Sequence, residues 1–115
     1  MRGIEWQEGK VSPEQSGEPQ IQTIFKTGLV QVLHTLLEPG QEVPWHFHSD
    51  VRDTFYAVRG PVTIFTRDPD GRIELEPGET FRAERGQAHR VLNETGVPAE
   101  FLLIQGIGSY DFNPL

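Results

Sequence analysis

The sequence has no cysteine among its 115 residues. That absence excludes disulfide scaffolds, thiolate zinc sites, iron–sulfur clusters and cysteine nucleophiles together. Long apolar runs are also missing: none approaches the ~20 residues that a membrane helix needs. The opening Met1-Arg2-Gly3-Ile4-Glu5-Trp6 leads into acids and glutamines rather than an apolar signal core. Basic residues are few. Ten Lys and Arg against seventeen Asp and Glu give a formal charge of −7, a balance that repels phosphate backbones and argues against a nucleic-acid partner. Sustained helical periodicity is lacking too, since no window of helical length carries an apolar 3.6 period free of Gly or Pro. The expectation is a soluble, cytoplasmic, single-domain protein with neither nucleic acid nor membrane as partner.

What the chain does have is punctuation: 12 Gly and 9 Pro. Polar residues Gly9 to Gln20 read as a loop or loose arm. From Ile21 onward, short runs rich in Val, Ile, Phe, Thr and Tyr alternate with turn signals such as Glu38-Pro39-Gly40, Arg59-Gly60-Pro61 and Asp68-Pro69-Asp70-Gly71. The runs are Ile21–Lys26, Leu29–Leu37, Val43–His48, Thr54–Arg59, Pro61–Thr66, Arg72–Leu75, Thr80–Ala83, His89–Leu92 and Ala99–Gln105. Many short strands at regular spacing predict an all-β sandwich or barrel.

Strand parity assigns faces, because side chains alternate with period two. In Val30–Leu36 the more apolar even set, Val30, Val32, His34 and Leu36, is placed inside. His34 is then either a core histidine bonded to a backbone carbonyl or a group facing a ligand. Val62, Ile64, Ile73, Leu75, Phe81 and Ala83 face inward by the same rule.

His46 and His48 stand at i and i+2, so both project from one strand face, ~6.5 Å apart at the backbone. His89 follows the turn Arg85-Gly86-Gln87, and Asp53 opens the strand after the histidine pair. Three imidazoles and a carboxylate form a ligand set suited to Fe, Mn, Ni, Co or Zn, one divalent ion per chain, and unsuited to a thiophilic metal. An HxH pair alone carries little, and two exposed strand histidines beside a polar loop would look the same.

The spacing around these residues adds to the case. Gly40-x5-His46-x-His48-x4-Asp53-x6-Gly60 resembles the first cupin motif, G-x5-H-x-H-x(3,4)-E-x6-G, with Asp53 where the family usually has Glu. Gly78-x5-Glu84-x-Gly86-x2-His89-x3-Asn93 resembles the second, G-x5-P-x-G-x2-H-x3-N, with Glu84 in place of Pro. The strand pattern extends the resemblance over Ile21–Ile107. It implies a double-stranded β-helix, or jelly-roll barrel, at 21–107. Residues 1–20 are read as an N-terminal arm from their polarity, and the tail 108–115, with Gly and aromatics but no assignable pattern, is expected to close one barrel mouth. The resemblance also assigns His46, His48, His89 and Asp53 to one metal, gives Gly40, Gly60, Gly78 and Gly86 turn roles, and makes Asn93 structural. Asp is one methylene shorter than Glu, about 1.5 Å of reach. Asp53 either ligates or holds a water or an imidazole beside the ion.

Phe55, Ala57 and Val91 face inward by parity from Asp53 and His89. Phe101 and Leu103, or their neighbours Leu102 and Ile104, line the last strand. Phe55, Val91 and Phe101 are the expected walls of a small-molecule pocket, with His34 as a candidate proton-transfer residue. Val43, Trp45, Phe47, Tyr56 and Val58 fall on the outward parity. Apolar outer faces need cover, either from Ile4 and Trp6 or from the second copy of a homodimer. The resemblance leaves two functions open: a metal-dependent enzyme of oxygenase, isomerase or lyase type acting on a small oxygenated molecule, or a binding protein or sensor without turnover.

Overall fold

The computed structural model describes residues 18–115. Ile4 and Trp6, expected to cover an outer face, lie outside the described residues. Ten strands run in order: β1 (Gln20–Lys26), β2 (Gln31–Leu37), β3 (Glu42–Phe47), β4 (Arg52–Arg59), β5 (Val62–Thr66), β6 (Gly71–Leu75), β7 (Thr80–Ala83), β8 (His89–Leu92), β9 (Ala99–Gly106) and β10 (Asn113–Pro114). The nine apolar runs of the sequence each become a strand, because the Gly and Pro turns between them interrupt any longer element. Gly40, Gly78 and Gly86 have positive φ, as turns require. Gly60 does not. It is small for a different reason: a Cβ there would lie 2.8 Å from the Leu75 carbonyl oxygen.

Two five-stranded antiparallel sheets face each other, β1-β2-β9-β4-β7 and β10-β3-β8-β5-β6. This is the double-stranded β-helix expected from the sequence. β10 was not expected; it lies in the C-terminal tail and pairs with β3 through Asn113↔Phe47 and Pro114↔His46.

The register sets a gradient along the barrel. At one end Gln31 pairs with Gln105, and Gln105 with Asp53. Next come Leu33↔Leu103↔Phe55, then Thr35↔Phe101↔Ala57, and at the far end Leu37↔Ala99. The far half is the apolar core, where Leu37, Phe55, Ala57, Val62, Ile64, Leu75, Ala83, Val91, Ala99 and Phe101 are all buried. The near half is polar and holds three histidines.

Two parity expectations fail. In β2 the inward set is the odd one, so Val32 and His34 face outward. The rule chose the more apolar face, but Gln31 and Thr35 are buried polar residues inside, and the outer face of this sheet is itself apolar. In β3 the pairing shifts between Val43 and His46. This irregularity spans Pro44, which has no N–H to give a ladder. It turns Val43 inward together with His46. Trp45 and Phe47 are half-buried, and the Arg67 guanidinium lies 3.9 Å from the Trp45 ring centroid. Tyr56 and Val58 are exposed, as parity expects. On β9 the ambiguity resolves: Phe101 and Leu103 face in, Leu102 and Ile104 out.

Asn93 closes the apolar end. It is fully buried, donates from Nδ2 to the carbonyls of Leu37 (2.9 Å) and Val97 (2.7 Å), and accepts at Oδ1 from the Thr95 N–H (2.9 Å) and hydroxyl (2.7 Å). Replacing it strands several buried partners at once, at ~1–3 kcal/mol for each unsatisfied group. Asn93→Leu should therefore lower stability by about 3 kcal/mol. Urea unfolding would show it as a lower midpoint at unchanged slope; an unchanged midpoint would contradict the assignment.

Candidate metal centre

His46 lies on β3, and His48 one residue past its end. Asp53 is the second residue of β4, and His89 opens β8, paired directly with His46. All four side chains are buried, and one potential ligand atom from each lies within 4.8 Å of the others. The three rings converge, with centroids 4.3 Å apart for His46–His89, 4.9 Å for His46–His48 and 5.5 Å for His48–His89.

Each imidazole is oriented by a backbone carbonyl. His46 Nδ1–H donates to Pro44 (2.7 Å), His89 Nδ1–H to Gln87 (2.9 Å) and His48 Nδ1–H to Asp111 (2.5 Å). Carbonyls only accept, so Nδ1 carries the proton in all three rings and Nε2 is turned into the barrel. Asp53 Oδ2 then lies 2.9 Å from Nε2 of both His48 and His89. A carboxylate has no proton to give, and a neutral ring locked in this tautomer has only a lone pair at Nε2. Protons on both Nε2 atoms, or one cation among them, remove the repulsion. Three inward imidazole nitrogens and a carboxylate oxygen are donors suited to a divalent transition metal. The buried cluster can hold one.

The electrostatics agree. Burial lowers the His46 pKa to about 4; the Pro44 carbonyl opposes this, and the neighbouring His89 and His48 add to it. His46 is thus a neutral donor at pH 7. Burial also acts to lower His48, but the hydrogen bond and charge of Asp53 and the Asp111 carbonyl outweigh it and raise its pKa. For Asp53, burial works to raise the pKa, but hydrogen bonds and charge from His48 and His89 prevail and hold it at about 2.

Above this cluster lies a cavity of about 70 Å³, lined by His46, His48 and Asp53, by Phe55, Val91 and Phe101, and by residues that parity alone did not supply: Ile21, Leu33, Thr35 and Val43. Phe55, Val91 and Phe101 were expected here. His34 is elsewhere; its Nε2 lies 2.9 Å from Glu100 Oε1 on the outer face, so its imidazole does not reach the lumen.

Sequence reasoning expected the tail to close one mouth but did not bring its residues to the histidines, and it missed two buried glutamines. The tail folds back over the mouth: Phe112 stacks on His46 (4.5 Å, 19°), Tyr110 tilts against His48 (5.2 Å), and Asp111 supplies the carbonyl for His48. Asp50 accepts from the Ser109 N–H and helps anchor the tail. Gln31 and Gln105, both buried, stand beside Asp53. The sequence carried no signal for them, because parity placed Gln31 outward and left β9 undecided.

Residues 33–105, well over half of the chain, match the cupin domain, and the chain belongs to that family. It is similar to a protein with a double-stranded β-helix domain from Klebsiella pneumoniae, 24% identical, covering 91% of this chain and 96% of that one, TM-score 0.76. It is likewise similar to the TT1209 protein from Thermus thermophilus, 25% identical, covering 86% and 90%, TM-score 0.73. Oxalate oxidase shares the fold at 14% identity, covering 91% of this chain and 59% of that one, TM-score 0.77. The tetracenomycin polyketide synthase protein TcmJ of Streptomyces glaucescens is 32% identical over 66 residues; the match spans 57% of this chain and 43% of that protein's length.

The pKa values carry a sign that can be measured on metal-free protein. The unfolded chain protonates His46 near its ordinary 6.5, the folded chain only near 4. Between those values the unfolded state binds more protons, so stability falls as pH drops from about 6.5 to about 4. His48, with its raised value, contributes in the opposite sense, and only above pH 6.5. His46→Gln should flatten the fall in Tm between pH 6.5 and 4; a pH profile parallel to the parent would refute the buried neutral state.

Proposed function

We propose that this cupin holds one divalent transition metal through His46, His48, His89 and Asp53 and is a metal-dependent enzyme acting on a small oxygenated organic molecule. The observation that carries the proposal is the convergence of the three imidazoles, each fixed by a carbonyl at its Nδ1, with Nε2 of His48 and His89 on one buried carboxylate oxygen and His46 within the same cluster. A metal held by these residues would supply Lewis-acid polarisation of a substrate oxygen or, were it a redox-active ion such as iron, electron transfer to O2.

The chain's own residues do the rest. The lumen is small, so only the oxygen-bearing end of a ligand enters it. The remainder would rest on the apolar rim of Ile21, Leu33, Tyr110 and Phe112. Phe55, Val91 and Phe101 keep water from the inner wall. Thr35 and Tyr110 are lining residues with hydroxyls outside the ligand cluster, and in this proposal they hydrogen-bond a substrate oxygen. His34 is not carried into this reading, because it bonds to Glu100 outside. The likeness to a polyketide synthase protein supports a ligand with neighbouring keto or enol oxygens.

Untagged protein should carry about one metal per chain, and the His46→Ala/His48→Ala double variant none. Equal metal in both would remove the assignment. Metal-loaded protein should then turn over a diketone, catechol, flavonol or unsaturated uronate, with His89→Ala inactive; oxygen uptake separates oxygenase from isomerase or lyase. Tight binding of such ligands with no turnover under any metal would establish the binding-protein reading instead.

The proposal includes a homodimer, supported by apolar residues on both outer faces: Trp45 and Phe47 half-buried on one, Phe25, Tyr56, Val58 and Ile104 exposed on the other. Sedimentation should give a dimer at micromolar concentration, and a monomer there would reject it.

A further inference from the structure

Asp53 has two oxygens, and only one faces the imidazoles. Oδ1 accepts a hydrogen bond from Gln105 Nε2 at 3.0 Å. Gln105 Oε1 in turn accepts from Gln31 Nε2. The three side chains form one ladder across β2, β9 and β4, since Gln31 pairs with Gln105 and Gln105 with Asp53, and side chains directly opposite in adjacent strands are near neighbours. The direction of the chain is forced. A carboxylate only accepts, so Gln105 must present its NH₂ to Asp53 and its carbonyl to Gln31, and Gln31 must then donate. Gln31 and Gln105 are both buried. Buried amides are costly unless bonded, and burying a long flexible side chain also loses rotamer freedom. A barrel needing only volume at these positions is served by Leu or Met.

We propose that Gln105, backed by Gln31, is a positioning residue for the metal site: its amide occupies Asp53 Oδ1 and thereby turns Oδ2 alone toward His48 and His89. This rests on the reading that the cluster holds a metal. Held this way, Asp53 offers one oxygen in a fixed direction. Without the amide, the carboxylate can rotate about its χ2, and its Oδ1 is left buried without a donor. Gln31 acts one step further out by fixing which way the Gln105 amide points. The two residues therefore work in series, and their effects should not add.

The test uses the full chain with Gln105→Met, Gln31→Met and the double variant, each near the parent side chain in length and lacking the amide. Zinc affinity is measured by competition with a chelating dye, and cobalt-loaded protein is followed by its visible absorption bands. Gln105→Met should weaken metal binding about 10–100-fold, the usual range for loss of a group that orients a ligand, and should shift the cobalt bands. Gln31→Met should cost less, and should cost nothing further in the Gln105→Met background. Melting of the metal-free variants reports folding separately; if Gln105→Met does not fold, the smaller affinity loss and band shift in Gln31→Met decide alone. Parent-like affinity and bands, or losses that add as independent effects, would overturn the proposal. A parent protein that binds no metal would instead remove the metal reading, and this inference with it.

Discussion

Asp53 Oδ2 lies 2.9 Å from two imidazole nitrogens in a part of the barrel where all four contributing side chains are buried. A buried carboxylate facing buried lone pairs is stable only if positive charge comes between them, because removing an ion from water costs several kcal/mol unless it is compensated. The surroundings are consistent with that constraint. Carbonyls of Pro44, Gln87 and Asp111 fix the outer nitrogen of each ring, and the amide of Gln105 fixes the far oxygen of the acid. None of these groups carries a formal charge. They orient the donors without neutralising them, which leaves the charge balance to whatever occupies the centre.

The barrel tolerates this because chemistry and stability are separated along the same strands. β4 reads Asp53, Phe55, Ala57 on its inner face; β9 reads Gln105, Leu103, Phe101, Ala99. Moving two residues along either strand goes from a polar layer to an apolar one. The core beyond the site is closed by fully buried Asn93, which bonds to backbone carbonyls of Leu37 and Val97 and so ties β2 to the loop before β9. Substitutions at the polar end can therefore change donor geometry while the apolar half keeps the two sheets together.

The parts of this arrangement that were legible in the sequence are those set by local spacing. His46 and His48 share a face because a strand repeats every two residues, and the Gly and Pro turns delimit nine strands. Parity failed where its premise failed. In β2 the inner face contains the buried polar residues Gln31 and Thr35 while Val32 lies on the outer face, so polarity pointed the wrong way and His34 was placed inside. In β3 the irregularity between Val43 and His46 changes the count midway along the strand. The tail was opaque for another reason. Asp111 and Phe112 reach the histidines only because β10 pairs with β3, a contact between residues more than 60 positions apart that no local pattern encodes.

The aspartate at position 53 takes on a different meaning beside Gln105. In the family pattern a Glu at this position would carry its carboxylate about 1.5 Å further from the strand. With Asp, the group stays close to β4, and the strand lying between β4 and β2 must supply whatever orients it. That strand is β9, and the residue in register with Asp53 is Gln105, whose longer side chain bridges to Oδ1. The shorter acid and the longer amide thus function as one unit: the acid gives up reach, and the neighbour restores direction. On this argument Asp53 is not a defective version of the usual residue. Its suitability as a ligand depends on a side chain fifty-two positions away in the sequence and directly opposite in the sheet.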